Sequence, residues 1–181
     1  FVDIDDASSQ ALVEQLKAET GWAPRYWRCD IRDVEALQGV IAEVGRELGP
    51  IHTLVNNAAN DDRHTWQEVD VAYWDERMSL NLRPMFFAAQ AAAHQMIEAG
   101  GGSIVNFGSI SVQMAIPELS TYVTAKAAVH GLTRSLARDL GRYNIRVNTL
   151  VPGSILTERQ LQKWIGPEEE ASIQAHQCLK L

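Results

Sequence analysis

The 181-residue sequence has little positive charge and no long apolar run. It carries 16 Lys and Arg residues against 23 Asp and Glu residues, for a net charge of −7. Because nucleic acids and anionic membranes are bound by basic surfaces, neither is an expected partner. The longest apolar run, residues 86–93, is interrupted by Gln90, and it is far shorter than the roughly 18 residues that suggest a membrane span.

Cysteine is also scarce. Cys29 and Cys178 form neither a CxxC pair nor a disulfide framework, which is typical of a reducing compartment. The chain begins at Phe1 inside a strand-like segment, and no signal peptide is visible. We therefore expect a cytoplasmic protein. The 5 histidines are scattered without an HExxH motif or a Cys/His cluster, so no metal site is expected.

Short apolar segments alternate with longer segments of helical periodicity. The strand-like segments are residues 1–4, 26–30, 51–55, 103–107 and 145–151, and the helical segments are residues 8–20, 34–48, 71–80, 83–99 and 120–140. This alternation predicts an α/β fold with a doubly wound parallel sheet and helices on both faces. The strands are nearly all apolar, as expected where both faces are covered. Functional residues of such sheets gather where the strands end.

Tyr122 and Lys126 lie four positions apart in the last predicted helix, so both side chains share one helix face. A tyrosine with an ordinary pKa near 10 is a poor base at neutral pH. A neighbouring ammonium, or a positively charged cofactor, favours the phenolate and lowers that pKa. The pair is therefore a candidate general acid/base, although this spacing recurs by chance in many helices.

Four further motifs accompany this pair in a fixed order. They are residues 56–59 (Asn-Asn-Ala-Ala), Asn81, Ser109 after a predicted strand, and residues 152–157. Alone, Asn81 would be interpreted as a helix cap and Ser109 as a turn residue. Together, the motifs make the chain resemble the short-chain dehydrogenase/reductase superfamily over essentially its whole length. The resemblance implies a Rossmann-like fold and hydride transfer with a nicotinamide cofactor.

The resemblance also implies a catalytic tetrad, which consists of Asn81, Ser109, Tyr122 and Lys126. Ser109 would orient the substrate oxygen, and Tyr122 would exchange its proton. Lys126 would lower the pKa of the tyrosine and bind the nicotinamide ribose. Asn81 would hold a water molecule in a proton relay.

Asp3 closes the first strand-like segment, where the family places the residue that meets the adenosine ribose. A carboxylate there accepts hydrogen bonds from both ribose hydroxyls and repels a 2′-phosphate, so NAD is favoured over NADP. Alternatively, Asp3, Asp5 and Asp6 cap the next helix, a role expected of Asp6 or Ser8. By resemblance, the remaining cofactor contacts are Ile4, Asp30, Ile31, Asn57, Ala58, Ala59, Tyr122, Lys126, Pro152, Gly153, Ile155 and Thr157.

Residues 60–64 and the polar C-terminal stretch are similar to the sugar-oxidising members of the superfamily, the NAD-dependent aldose 1-dehydrogenases. This implies oxidation of a cyclic aldose at C1 to its lactone. A sugar presents many hydroxyls, so its site needs many fixed donors and acceptors. The expected substrate contacts are Asn60, Ser109, Gln113, Tyr122, Arg159, Gln160 and Trp164, the last as an apolar wall. Residues 157–178 would form a lid. Alternatively, residues 61–64 are a solvated or subunit-contacting loop.

Two other functions stay open. Another enzyme of the superfamily, a polyol dehydrogenase or a 3-oxoacyl reductase, would share these motifs. A truncated, non-catalytic module that acts in assembly or binding would keep only the fold. Family members associate through the helices at residues 83–99 and 120–140, whose Ala-rich faces predict a homodimer or homotetramer here.

The last absence is the family's first strand with its T-G-x-x-x-G-x-G turn, which would precede Phe1, and its last strand, which would follow Leu181. Gly100 to Gly102 are no substitute, because they precede a strand. The missing first strand belongs between residues 1–4 and 51–55, so both neighbours should expose unpaired backbone and apolar faces. We therefore expect residues 1–181 to be one domain, incomplete at both ends, with weak NAD binding if nothing more is present.

Overall fold

The computed structural model describes residues 1–179, so Lys180 and Leu181 of the predicted domain lie outside the described residues. Its strands are β1 (Val2–Asp3), β2 (Trp27–Arg28), β3 (Thr53–Asn56), β4 (Gly102–Phe107) and β5 (Ile145–Leu150). Its helices are α1 (Asp6–Thr20), α2 (Val34–Leu48), α3 (Val71–Asn81), α4 (Arg83–Glu98), α5 (Ser111–Met114), α6 (Ser120–Leu140), α7 (Glu158–Lys163) and α8 (Pro167–His176). Single 3-10 turns cover Trp66–Glu68 and Gly141–Tyr143. The predicted alternation is confirmed, and α2 and α6 have the predicted bounds.

Local side chains fix the helix ends. Asp33 caps α2 by accepting a first-turn backbone N–H at 3.0 Å. Gly21 ends α1 with a left-handed φ of 75°, a conformation that glycine adopts without strain. Helix α1 begins after Asp5, whose carboxylate accepts the backbone N–H of Ser8 at 3.0 Å. The prediction that Asp6 or Ser8 caps this helix is therefore wrong, because the extended backbone that a cap needs lies at Asp5.

All strand pairs are parallel, as predicted. Strand β1 pairs with β2, and β4 lies between β3 and β5. The register pairs Asn56 with Asn106 and Asn106 with Thr149, so the carboxyl ends of β3, β4 and β5 are aligned. Within residues 1–179, β1 and β3 pair neither with each other nor with a common strand, as expected from the position of the absent first strand.

The core lies between the three-stranded sheet and helices α2 and α4. Helix α4 contributes the fully buried Ala89, Ala92 and Met96, which pack in one cluster with Ile104 of β4 and Ile145 of β5. The small alanines let the helix approach the strands closely. In the part of the chain that the structure describes, no helix has the length and apolar character needed to cross a membrane.

The other face of the three-stranded sheet is open in the described residues. Half-buried side chains alternate with exposed ones along β3, and buried side chains alternate with exposed ones along β5. Thr53, Val55, Arg146 and Asn148 are all exposed. The expectation that helices cover both faces therefore holds for one face only. The expected exposure of an apolar strand face is confirmed by Val55, which is 53% exposed.

Candidate active site

A buried polar network joins the ends of β3, β4 and β5 to helix α6. The amide of Asn106, which is fully buried, accepts a hydrogen bond from Asn56 at 2.8 Å and donates one to Thr133 at 2.9 Å. The Thr149 hydroxyl donates to the Thr133 hydroxyl at 2.8 Å. Because buried polar groups are stable only when they are paired, this network fixes the helix that carries the candidate acid/base pair against the strand ends.

Ser109 and Tyr122 meet beyond the end of β4. Ser109 lies close enough to the Tyr122 phenol to lower its pKa, and its hydroxyl lies 2.8 Å from the Ser111 hydroxyl. The backbone N–H of Ser111 also donates to Ser109 Oγ at 3.2 Å. Ser111 is buried at the start of α5. It was not among the predicted site residues, although its place two residues after Ser109 was a usable signal. Its two contacts hold the Ser109 hydroxyl toward the phenol.

Burial is the largest influence on the pKa of Tyr122, and it raises that pKa above its ordinary value. The hydrogen bond from Ser109 lowers the pKa, and the charge of Asp61 raises it. Arg159 lowers the pKa in turn. Removing the phenolate from water therefore outweighs the favourable contacts of the tyrosine in this structure. The lowering of its pKa by Lys126 and by a positively charged cofactor stays a prediction.

Lys126 is buried beneath the tyrosine. Only 1% of the residue is exposed, and its ammonium donates to the carbonyl oxygen of Phe107 at 2.7 Å. The Nζ atom lies 5.6 Å from the centre of the Tyr122 ring. Burial lowers the pKa of Lys126 to about 8, so most molecules keep this positive charge beneath the phenol at neutral pH.

Asn81 is fully buried at the end of α3. Its side-chain oxygen accepts the backbone N–H of Asn60 at 2.8 Å, and its side-chain nitrogen donates to the Asn60 carbonyl at 3.0 Å. This pair of bonds fixes the start of the loop at residues 60–64 beside the candidate tetrad. The role of Asn81 in holding a water molecule stays a prediction.

The loop is held to helix α7 by charged and polar side chains, which we call the ion-pair cluster: Asp61, Asp62, Arg159, Gln160 and Lys163. Arg159 contacts Asp61 at 3.1 Å and Asp62 at 2.7 Å. Gln160 donates to the second oxygen of Asp61 at 2.7 Å, and Lys163 contacts Asp62 at 3.3 Å. The structure thus brings Arg159 and Gln160 to the loop that is anchored on the candidate tetrad.

Two other predicted substrate residues lie differently. Gln113 is exposed on α5, whereas the hydrogen bonds described for the carboxylates of Asp61 and Asp62 come from Arg159, Gln160 and Lys163. The half-buried ring of Trp164 lies 5.2 Å from the Arg63 guanidinium and 6.0 Å from the Lys163 ammonium. Its indole N–H has no partner among the described residues. Trp164 therefore contacts the loop as an aromatic wall.

The predicted adenosine residues follow β1 and β2. The exposed Asp3 carboxylate accepts the backbone N–H groups of Ile4 and Asp5 at 2.7 and 3.0 Å through Oδ1 alone. The Asp30 carboxylate instead binds the Arg32 side chain at 2.6 Å, a hydrogen bond that holds the pKa of Asp30 below its ordinary value. Asp3 is thus oriented with an oxygen to spare, whereas Asp30 is already paired with a cation.

The other predicted cofactor residues follow β2, β3 and β5. These are the half-buried Ile31 after β2, the exposed Asn57, Ala58 and Ala59 after β3, and Pro152, Gly153, Ile155 and Thr157 after β5. The Pro152 carbonyl accepts the backbone N–H of Ile110 at 3.3 Å. Thr157 caps α7 by accepting the backbone N–H of Gln160 at 3.3 Å. In the described residues, no group of three or more His, Cys, Asp or Glu side chains is arranged to hold a metal ion.

Known proteins match this chain along most of its length. A family model described as short chain dehydrogenase matches residues 1–166. The chain is 50% identical over 180 residues to the probable galactose dehydrogenase of Rhizobium meliloti (strain 1021) and to the D-xylose 1-dehydrogenase of Caulobacter vibrioides (strain NA1000 / CB15N). Each match covers 99% of this chain and 70% of the relative.

A solved structure shares the fold. It is the gluconate 5-dehydrogenase of Burkholderia cenocepacia J2315 in complex with NADP and tartrate, with a TM-score of 0.83 and 30% sequence identity. The match covers 93% of this chain and 66% of that chain.

Proposed function

Because the chain belongs to the short-chain dehydrogenase/reductase family, we propose that it oxidises an aldose at C1 and transfers the hydride to NAD. The observation that carries the proposal is the placement of the Tyr122 ring above the buried Lys126, with Ser109 acting on the phenol and with hydrogen-bonding side chains on the neighbouring loop and α7. Relatives of 50% identity that are named galactose dehydrogenase and D-xylose 1-dehydrogenase support the sugar class of substrate.

The strand ends fit a nicotinamide dinucleotide. The Asp3 carboxylate is fixed through one oxygen, which leaves Oδ2 to accept hydrogen bonds from the ribose hydroxyls. The same negative charge disfavours a 2′-phosphate, so we propose NAD rather than NADP. The solved relative that holds NADP makes this preference a point to test. Asn57 and Ile155, exposed after β3 and β5, would line the rest of the cofactor cleft.

Tyr122 is the proton acceptor in the proposed reaction. Ser109 hydrogen-bonds the anomeric hydroxyl and holds it against the phenolate of Tyr122, which takes the proton as the C1–H bond breaks. The bound nicotinamide ring supplies the acceptor for the hydride that leaves C1. The sugar thus loses one hydride and one proton, and C1 becomes the carbonyl carbon of a lactone. Lys126 stabilises the phenolate with its charge.

The ion-pair cluster supplies the expected sugar contacts. Each oxygen of the Asp61 carboxylate makes one bond to α7, so each retains a lone pair for a sugar hydroxyl. The charge of Asp61 also raises the pKa of both Tyr122 and Lys126, so this carboxylate acts electrostatically on the candidate acid/base pair. The wall of sugar contacts is completed by Asn60, Arg159 and Gln160. Residues 157–178 form the proposed lid, which includes α7 and therefore carries Arg159 and Gln160.

We extend the proposal to assembly and location. The exposed faces of α4 and α6 would meet in a homodimer or homotetramer. Small residues line this face only on α6, at Ala127, Ala128 and Gly131, because the alanines of α4 predicted for the interface are buried in the core. Cys29 and Cys178 are both free, which favours a reducing compartment such as the cytoplasm.

The test is the initial rate of NADH formation across aldoses, sugar alcohols and simple alcohols, repeated with NADP. We expect oxidation of aldoses and a preference for NAD. Oxidation of alcohols without any response to aldoses would overturn the sugar assignment, and a preference for NADP would overturn the role of Asp3. A calorimetric titration with NAD that gives no binding heat would favour a non-catalytic module.

A further inference from the structure

His64 lies buried between three elements of the site. Only 7% of the residue is exposed. Its Nδ1 atom is 3.2 Å from the carbonyl oxygen of Asp62 and 3.1 Å from the hydroxyl of Tyr73 on α3. Its Nε2 atom faces the first turn of α6, 3.1 Å from the Ser120 hydroxyl and 3.4 Å from the backbone nitrogen of Thr121. The ring therefore connects the substrate loop with the helix that carries Tyr122.

Helix α6 has no cap of its own. Its N-cap residue is Leu119, whose side chain makes no capping hydrogen bond. The first backbone N–H groups of a helix need acceptors from outside the helix, and here the acceptor is the ring of a distant residue. For Nε2 to accept the N–H of Thr121, the ring proton must lie on Nδ1, where it donates to the carbonyl of Asp62. The carbonyl of Asp62 beside Nδ1 thus selects the tautomer in which Nε2 is free to accept the N–H of Thr121.

We propose that His64 is a positioning residue that caps helix α6 through Nε2 and thereby holds Tyr122 in its reactive orientation. The capped amide belongs to Thr121, which immediately precedes Tyr122 in the chain. A loss of this acceptor lets the first turn of α6 loosen, and the phenol moves with it relative to Ser109. Small displacements of a reacting group lower turnover strongly, while the distant ribose contacts at Asp3 are unchanged.

The same ring makes the substrate loop and the catalytic helix one unit. The loop is held at residue 60 by Asn81 and at residues 61 and 62 by α7. At residue 64 the backbone N–H donates to the carbonyl of Glu118 at 2.9 Å. Because this backbone bond does not depend on the imidazole, a substitution of the ring removes the cap while the loop keeps its path.

Two amide variants separate the two sides of the ring. In His64→Gln the amide reaches the position of Nε2 and keeps an acceptor for the first turn of α6. In His64→Asn the shorter amide reaches only the position of Nδ1, so the bonds to Asp62 and Tyr73 are kept and the cap is lost. Both side chains are smaller than histidine and end in the same carboxamide group, so each variant buries the same polar group at position 64. Tyr73→Phe is the control, because it removes only the contact between the Tyr73 hydroxyl and Nδ1 of His64.

The inference rests on the proposed function, so the assay is aldose oxidation well below the melting temperature of each variant. We expect His64→Asn to lower kcat about tenfold or more, with His64→Gln and Tyr73→Phe within about threefold of the wild type, and with KM and NAD binding little changed. Equal kcat values for His64→Asn and His64→Gln would overturn the proposal. A wild type that oxidises no aldose would instead overturn the proposed function.

Hydrogen exchange gives a readout that does not depend on turnover. The amides of Thr121 and Tyr122 should exchange at least about tenfold faster in His64→Asn than in His64→Gln, since loss of a cap frees the first turn of the helix. Unchanged exchange at these amides in His64→Asn would show that the ring does not cap α6, and it would overturn the proposal whatever the activity.

Discussion

The two sides of the candidate site are built differently. On the reaction side, Ser109, Tyr122 and Lys126 are fixed by buried neutral partners, such as the Phe107 carbonyl on the ammonium. On the substrate side, the ion-pair cluster holds loop residues 60–62 to α7, and the side chains of Arg159 and Lys163 are 37% and 50% exposed. Exposed ion pairs are individually weak, whereas buried hydrogen bonds resist exchange with water.

This difference assigns the two sides different tasks. The reaction side must hold atoms to a fraction of an ångström while a proton moves, which requires packed and fully satisfied neighbours. The substrate side must let a hydrophilic molecule in and out, which weak and solvated contacts permit. Substitutions should therefore lower turnover on the first side and alter apparent affinity on the second.

Tyr122→Phe should give the largest effect. It removes the hydroxyl that accepts the proton and keeps the ring that packs above Lys126. We expect turnover of an aldose to fall by about 1000-fold, the scale of general base catalysis, while NAD binding measured by calorimetry stays nearly the same. Turnover close to that of the wild type would contradict the assignment of the base.

Lys126→Met should lower turnover by about 100-fold and change the dependence of stability on pH. The folded chain releases the Lys126 proton at about pH 8, whereas the unfolded chain keeps it up to about 10.5. Between these values the unfolded state binds more protons, so the stability of the wild type relative to the variant should rise with pH. The full rise is about 3 kcal/mol.

Urea unfolding of both proteins at neutral pH and at the alkaline end of this window measures that difference. The same dependence of the free energy of unfolding on pH in the wild type and in the variant would mean that the ammonium of Lys126 is not buried as the structure has it.

Asp61→Asn should act on the substrate side. We expect kcat/KM for aldoses to fall between about tenfold and 100-fold, mostly through KM, because a charged acceptor for sugar hydroxyls is lost. Since the Asp61 charge raises the pKa of Tyr122, the rise of activity with pH should also move to lower pH in this variant. An unchanged pH profile together with an unchanged KM would mean that Asp61 neither contacts the substrate nor acts on Tyr122.

Asp62→Asn is the matched control and should give the smallest effect. Asp62 shares Arg159 with Asp61, but it binds Lys163 rather than Gln160. We expect kcat/KM to change by no more than about fivefold, as for an exposed ion pair, and the change to shrink in high salt. A larger loss of kcat/KM in Asp62→Asn than in Asp61→Asn would mean that Asp62, rather than Asp61, is the carboxylate that contacts the sugar.

The sequence was sufficient for features that depend on local spacing. The alternation of segments predicted the parallel strands and the bounds of α2 and α6, since helix periodicity and the Asp33 cap are local signals. The motifs likewise predicted that Ser109 and Tyr122 are neighbours, because one follows a strand end and the other begins the next long helix.

The sequence did not predict contacts between side chains that are far apart along the chain. The bond from Gln160 to Asp61 joins residues 99 positions apart, and the cap from His64 to Thr121 spans 57. Neither pairing has a periodicity to reveal it. The direction of the Tyr122 pKa shift depends on burial, which spacing does not report, and the open sheet face at Val55 depends on what packs above it.

Oxidation at C1 distinguishes an aldose dehydrogenase from an enzyme that oxidises another hydroxyl of the sugar. D-xylose and D-galactose labelled with carbon-13 at C1, followed by NMR during turnover with NAD, test it most directly. We expect the anomeric signals to convert to those of a lactone and then of an aldonate carboxylate, with one NADH formed per sugar. Conversion at any other carbon, or NADH formation with the C1 signals unchanged, would contradict it.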